Sequence, residues 1–138
     1  MGFLSRLLPF LRSEDEFDSY VVRQQDGITI VKPTQPPGYD ETTRMIEYIA
    51  KNKLYRLRLW DFSNIPFPFT LDEIRELAAT GRASMPEKNR FAVVVTDEVG
   101  YGTMRAFSVY RQQTGLTEVF VSSSVEEAMA WLKQGDLS

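Results

Sequence analysis

Tyr20-Val21-Val22-Arg23-Gln24-Gln25-Asp26-Gly27-Ile28-Thr29-Ile30-Val31 decides how this chain begins to fold. Two runs rich in β-branched residues flank Asp26-Gly27, a pair suited to a type I′ turn because both central positions need positive φ. The body therefore opens with a β-hairpin. From Ser19 onward, strand-like and helix-like segments alternate over short connections, the pattern of an α/β domain.

Outward from the hairpin, Pro33, Pro36, Pro37 and Gly38 make a loop that continues neither strand nor helix. Asp40 is placed to cap a helix running to about Asn52, with Met45, Ile46 and Ile49 facing inward. Leu54 to Phe62 reads as a strand with Leu57, Leu59 and Asp61 on one side and Arg58, Trp60 and Phe62 on the other. Apolar residues on both sides predict partial cover on both faces. Ile65-Pro66-Phe67-Pro68-Phe69 is too proline-rich for an interior strand. Thr70, with Glu73 three residues on, starts a capping box for a helix whose core residues are Leu71, Ile74, Leu77 and Ala78 and which Gly81 closes. Phe91 to Val95 is an unbroken apolar run and the expected central strand; Thr96 to Gly102 turns into a third helix carrying Met104, Phe107, Val109 and Tyr110 and ending at Gly115. Val119 to Val121 form the last strand. Ser123 or Ser124 then caps a final helix with Val125, Ala128, Met129, Trp131 and Leu132 inward. The order is ββαβαβαβα. Helix-joined strands are normally parallel with right-handed crossovers, so the fold class is α/β, a mixed five-stranded sheet with helices packed on it.

The chain has 138 residues, 43% of them hydrophobic and 25% charged, which suits one domain with a packed core. A net charge of −3 gives no positive field for a polyphosphate backbone, so nucleic acid is not an expected partner. The chain has no Cys and no His, which removes disulfides, thiolate chemistry and the commonest metal ligand. No metal or cofactor is expected. No apolar run reaches the roughly 18 residues that read as a membrane-spanning helix.

Residues 1–18 stand apart from the body at 19–138. Phe3, Leu4, Leu7, Leu8 and Leu11 recur at helical spacing on one face, while Pro9 interrupts the pattern. Arg6 breaks the apolar run of a signal peptide and stands where myristoylation wants Ser or Thr. Glu14, Asp15, Glu16 and Asp18 make an acidic linker. The stripe covers the domain's own core or a dimer partner, attaches to a membrane surface, although two arginines are few for anionic lipid, or stays disordered.

Several segments resemble the STAS fold, named for sulfate transporters and anti-sigma-factor antagonists, and its family of small stand-alone bacterial proteins. They are the opening hairpin, Leu59-Trp60-Asp61-Phe62-Ser63 before a loop and helix, Arg90 to Val95 before the third helix, and Ser124-Val125-Glu126-Glu127-Ala128-Met129-Ala130-Trp131-Leu132. The resemblance covers about residues 19–136. It implies a non-catalytic domain that binds protein partners, nucleotides or apolar ligands. In the antagonists a phosphorylatable serine starts the helix after this strand. Here the corresponding stretch is Phe69-Thr70-Leu71-Asp72, and its one hydroxyl, on Thr70, falls one place early. Thr70 is thus a helix cap or a phosphorylation site, an added charge being tolerated at a helix N-terminus.

Ligands of parallel sheets usually sit beyond the carboxyl ends of the strands. That edge gathers Asp61, Ser63 and Asn64; Thr96, Asp97 and Glu98; and Ser122 to Ser124. Asp61 with Asp97 or Glu98 offers a carboxylate pair for acid/base work or for holding Mg²⁺ with hydroxyl help, although these residue types are ordinary turn and capping residues. Gly100-Tyr101-Gly102-Thr103 reads as a structural turn or a weak anion cradle. Trp60, Phe62, Phe67 and Phe69 around two prolines make an apolar wall for the core, a dimer surface or a small ligand. The expected function is a cytoplasmic, non-enzymatic regulatory module that associates with itself or a protein partner through the N-terminal stripe or through Phe67 and Phe69. The alternative is a carrier or sensor of a small apolar or lipid-like ligand. An exposed apolar patch favours the first, an apolar cavity the second, and convergent carboxylates with perturbed pKa values an enzyme.

Overall fold

A computed structural model describes residues 17–85, 87–112 and 116–134 of the chain. The N-terminal stripe of Phe3 to Leu11 lies outside the described residues. Strand β1 (Tyr20–Gln25) and strand β2 (Ile28–Pro33) form the hairpin. Asp26 and Gly27 have φ of 55° and 78°, both in the left-handed region the turn demands. Helix α1 (Tyr39–Lys51), strand β3 (Leu57–Asp61), helix α2 (Leu71–Ser84), strand β4 (Asn89–Val94), helix α3 (Glu98–Gln112), strand β5 (Thr117–Ser122) and helix α4 (Val125–Lys133) follow. The sheet is ordered β1-β2-β3-β4-β5, with β1 antiparallel to β2 and every later pair parallel. The expected element order and mixed five-stranded sheet are both present.

This topology fixes where the helices lie. Each crossover moves one strand further in the same direction, so right-handed connections put α1, α2 and α3 on one face of the sheet. There Met45, Ile46 and Ile49 of α1, Leu77 of α2 and Met104 and Phe107 of α3 pack on Val22, Val31, Trp60, Val93, Val119 and Val121. No strand follows α4, which folds onto the opposite face, where Ala128 and Leu132 meet Leu59, Ala92 and Val94. The two-sided pattern of β3 is thereby explained: Leu59 faces α4 and Trp60 faces the other three helices.

Five local readings are corrected. The strand before the Pro/Phe loop is shorter than Leu54–Phe62. Gly38, rather than Asp40, is the N-cap of α1, and Asp40 falls in the first turn, where its charge suits the helix dipole. Helix α2 continues through Gly81 to Ser84, a Gly costing only about 1 kcal/mol in a helix that packing holds. The apolar strand β4 is interior, but β3 holds the centre of the sheet. On α3, Val109 is exposed rather than buried.

Candidate functional site

The strand-end residues come together as fastenings rather than as a reactive group. Asp61 is buried; its Oδ1 accepts the Ser63 backbone N–H at 3.0 Å and its Oδ2 lies 3.8 Å from Lys32 Nζ. Asn64 Nδ2 reaches the Pro33 carbonyl at 3.5 Å, and Thr96 Oγ1 donates to the Ser63 carbonyl at 3.3 Å. Asp97 stands just before α3. Its Oδ2 accepts the Gly100 N–H at 2.9 Å, a helix N-cap bond, and its Oδ1 accepts the Phe67 N–H at 3.0 Å. Desolvation pushes this carboxyl upward, but the backbone N–H bonds from Gly100, Phe67 and Asp97 itself outweigh it and hold the pKa below the ordinary value. The Asp61 and Asp97 carboxylates thus serve different partners. Among the described residues, no group of three or more acidic side chains is placed to hold a metal.

Gly100-Tyr101-Gly102-Thr103 is not a loop but the opening of α3. The Gly100 N–H is taken by Asp97, and a Cβ there would lie 2.3 Å from Phe67 Cβ and 2.7 Å from Val95 Cγ1. Gly100 is therefore the place where the helix meets the Pro/Phe loop. Gly102 has nothing within 4 Å of such a Cβ and is exposed. Thr70 caps α2 as the sequence predicts: its Oγ1 accepts from Glu73 N at 3.2 Å while its own N–H donates to Glu73 Oε1 at 2.9 Å. On the last strand, Ser124 caps α4 by accepting from Glu127 N at 3.1 Å, and Ser122 Oγ lies 2.6 Å from Glu127 Oε1.

The loop tethered by Asp97 turns its aromatic rings inward. Phe69 is buried and Phe67 half-buried, so they do not present the exposed apolar surface that a docking loop needs. Phe62, Phe67 and Phe69 pack edge to face, with centroids 5.3 to 6.3 Å apart, and Trp60 stacks behind Phe62. These rings close one end of a half-open cavity of about 90 Å³ between the sheet and helices α2 and α3. Leu77, Met104 and Phe107 form its roof.

The opposite end holds what sequence reasoning missed. Arg58 lines the cavity although the residue is only 5% exposed. Its Nη2 donates to Asn89 Oδ1 at 2.6 Å, its Nη1 to Met85 Sδ at 2.9 Å, and its guanidinium lies 4.9 Å from the Phe91 ring centroid. The only available signal was its place on β3, on the same side as Trp60 and Phe62. A second depression, lined by Val21, Arg23, Ile30, Lys32 and Asn64, lies on the sheet face that carries α4, near the β1 edge. No helix among the described residues is long and apolar enough to cross a membrane. Comparison with protein-family models, with curated proteins and with solved structures finds no match for this chain.

Proposed function

We propose that this chain is a non-catalytic binding module whose ligand is a small apolar or amphiphilic molecule held between the sheet and helices α2 and α3. The observation that carries the reading is the half-open cavity of about 90 Å³, walled by Trp60, Phe62, Phe67, Phe69, Leu77 and Phe107. Ligand sites are concave, mostly apolar and oriented by a few polar groups, and Arg58 with Asn89 supplies those groups here. The enclosed volume is smaller than the roughly 150 Å³ of an engineered apolar cavity that takes up benzene, so part of a ligand extends through the open side. Binding is favoured over catalysis because the strand-end carboxylates are engaged in holding turns. A STAS-like kinship belongs to the same proposal and rests on the element order and the segments that resemble that family. Association through the N-terminal stripe draws nothing from the described geometry.

Titrating octan-1-ol into the full isotope-labelled chain and following amide and indole NMR signals tests the reading. Saturable shifts at Trp60, Leu77, Met104 and Phe107 are the expected result. Shifts confined to Val21, Arg23 and Ile30 place binding at the other depression and overturn it.

A further inference from the structure

We infer that the cavity takes an amphiphilic monocarboxylate, its carboxylate on the Arg58 guanidinium and its apolar tail running past Trp60 toward Phe62, Phe67 and Phe69. The inference deepens the proposed function and rests on the cavity being a ligand site. Arg58 is the one ionisable residue in the described lining. A guanidinium stays protonated at any working pH, so the cavity carries a fixed positive charge in apolar surroundings. Such a site repels an alkylammonium and has no preference for a neutral chain.

Two details make a carboxylate the fitting anion. The planar guanidinium presents paired N–H donors at the spacing of carboxylate oxygens. One of those donors, Nη1, now points at Met85 Sδ at 2.9 Å, and a thioether sulfur is a weak acceptor. Methionine is also the most adaptable apolar side chain, and Met85 follows directly on the end of α2. A carboxylate oxygen replaces the sulfur with a charge-assisted bond, and Met85 moves aside to cover the tail. The geometry supplies the tail's length as well: Arg58 and Phe62 are four residues apart along an extended segment, roughly 13 Å at about 3.3 Å per residue. A straight alkyl chain of intermediate length spans that distance.

The test uses calorimetric titration of the full chain with octanoate, octan-1-ol and octylamine at neutral pH, which share a tail and differ in the head. Octanoate is expected to bind at least about tenfold more tightly than octan-1-ol, the scale of a hydrogen bond to a charged group, and octylamine most weakly. Met85→Leu keeps the volume and removes the sulfur acceptor, so the ratio of octanoate to octan-1-ol affinity should rise. Arg58→Lys, which keeps the charge and loses the fork, should lower that ratio. If octan-1-ol binds as well as octanoate, or Met85→Leu lowers the ratio of octanoate to octan-1-ol affinity, the carboxylate inference falls and the apolar-ligand reading survives. If neither octanoate nor octan-1-ol binds, both fall.

Discussion

Replacing Gly100 by Ala should destabilise the protein, although Ala is the better helix former. The residue lies in the first turn of α3, and its φ is outside the left-handed region, so the backbone itself accepts a side chain. By helix propensity alone the substitution would gain about 1 kcal/mol. The added methyl, however, would sit 2.3 Å from Phe67 Cβ, 2.7 Å from Val95 Cγ1 and 2.9 Å from Asp97 Oδ2. Phe67 Cβ adjoins the backbone of a loop tethered by Asp97 and cannot swing away as a side-chain tip would. Overpacking of a tight site costs about 1–3 kcal/mol, and three such approaches put this one at the upper end. The net loss is then about 2 kcal/mol, or roughly 6–8 °C in Tm for a chain of this size. Gly102→Ala, two residues along the same helix, meets nothing within 4 Å and should instead gain about 0.5–1 kcal/mol. Urea unfolding followed by far-UV circular dichroism measures both, with unchanged slope as the check that only stability has moved. A Gly100→Ala midpoint equal to or above that of the natural chain would refute the close approach of α3 to the Pro/Phe loop.

Asp97→Ala removes both the α3 cap and the Phe67 tether and should cost about 1–2 kcal/mol in the same assay. Because the folded pKa of Asp97 lies below its unfolded value, its contribution is full above the unfolded pKa and disappears as pH falls through the folded one. The variant should therefore lose less stability than the natural chain between neutral pH and that acid range. Thr70→Ala breaks the capping box of α2 and should cost about 1 kcal/mol, whereas Thr70→Ser should be nearly neutral; equal midpoints for the two variants would show that the cap contributes nothing.

The parts of this fold that were legible in sequence are those set by neighbours in the chain. Asp26-Gly27 specifies its turn because few residue pairs tolerate two positive φ values, and Thr70 with Glu73 specifies a helix start because the capping box closes within four residues. The alternation on β3 foretold a sheet covered on both faces. At glycine the sequence misleads: Gly81 reads as a stop and Gly100 and Gly102 as the turn before α3, yet Gly81 lies inside α2 and the other two inside α3, because tertiary packing outweighs a propensity cost of about 1 kcal/mol. The cavity had no local signature at all. Arg58 is buried because its strand faces Met85 and Asn89, which lie 27 and 31 residues further along the chain. The inward turn of Phe67 likewise depends on a carboxylate 30 residues away.

The two groups of residues that the sequence set apart, strand-end polar side chains and loop aromatics, are parts of one arrangement. Asp97 holds the Phe67 backbone with one oxygen and the start of α3 with the other, while Gly100 leaves room for the loop to seat against that helix. The loop so held carries the rings that wall one end of the cavity, and α3 contributes Met104 and Phe107 to its roof. On the proposed function, the polar cluster at the carboxyl ends of the strands would act on a ligand through the shape of the cavity and not through contact. The charge that would meet a ligand lies at the other end, on Arg58 near the start of β3. It follows that Asp97→Ala should alter how well the cavity grips an apolar tail while leaving the preference for a carboxylate over an alcohol intact. Arg58→Lys should do the reverse.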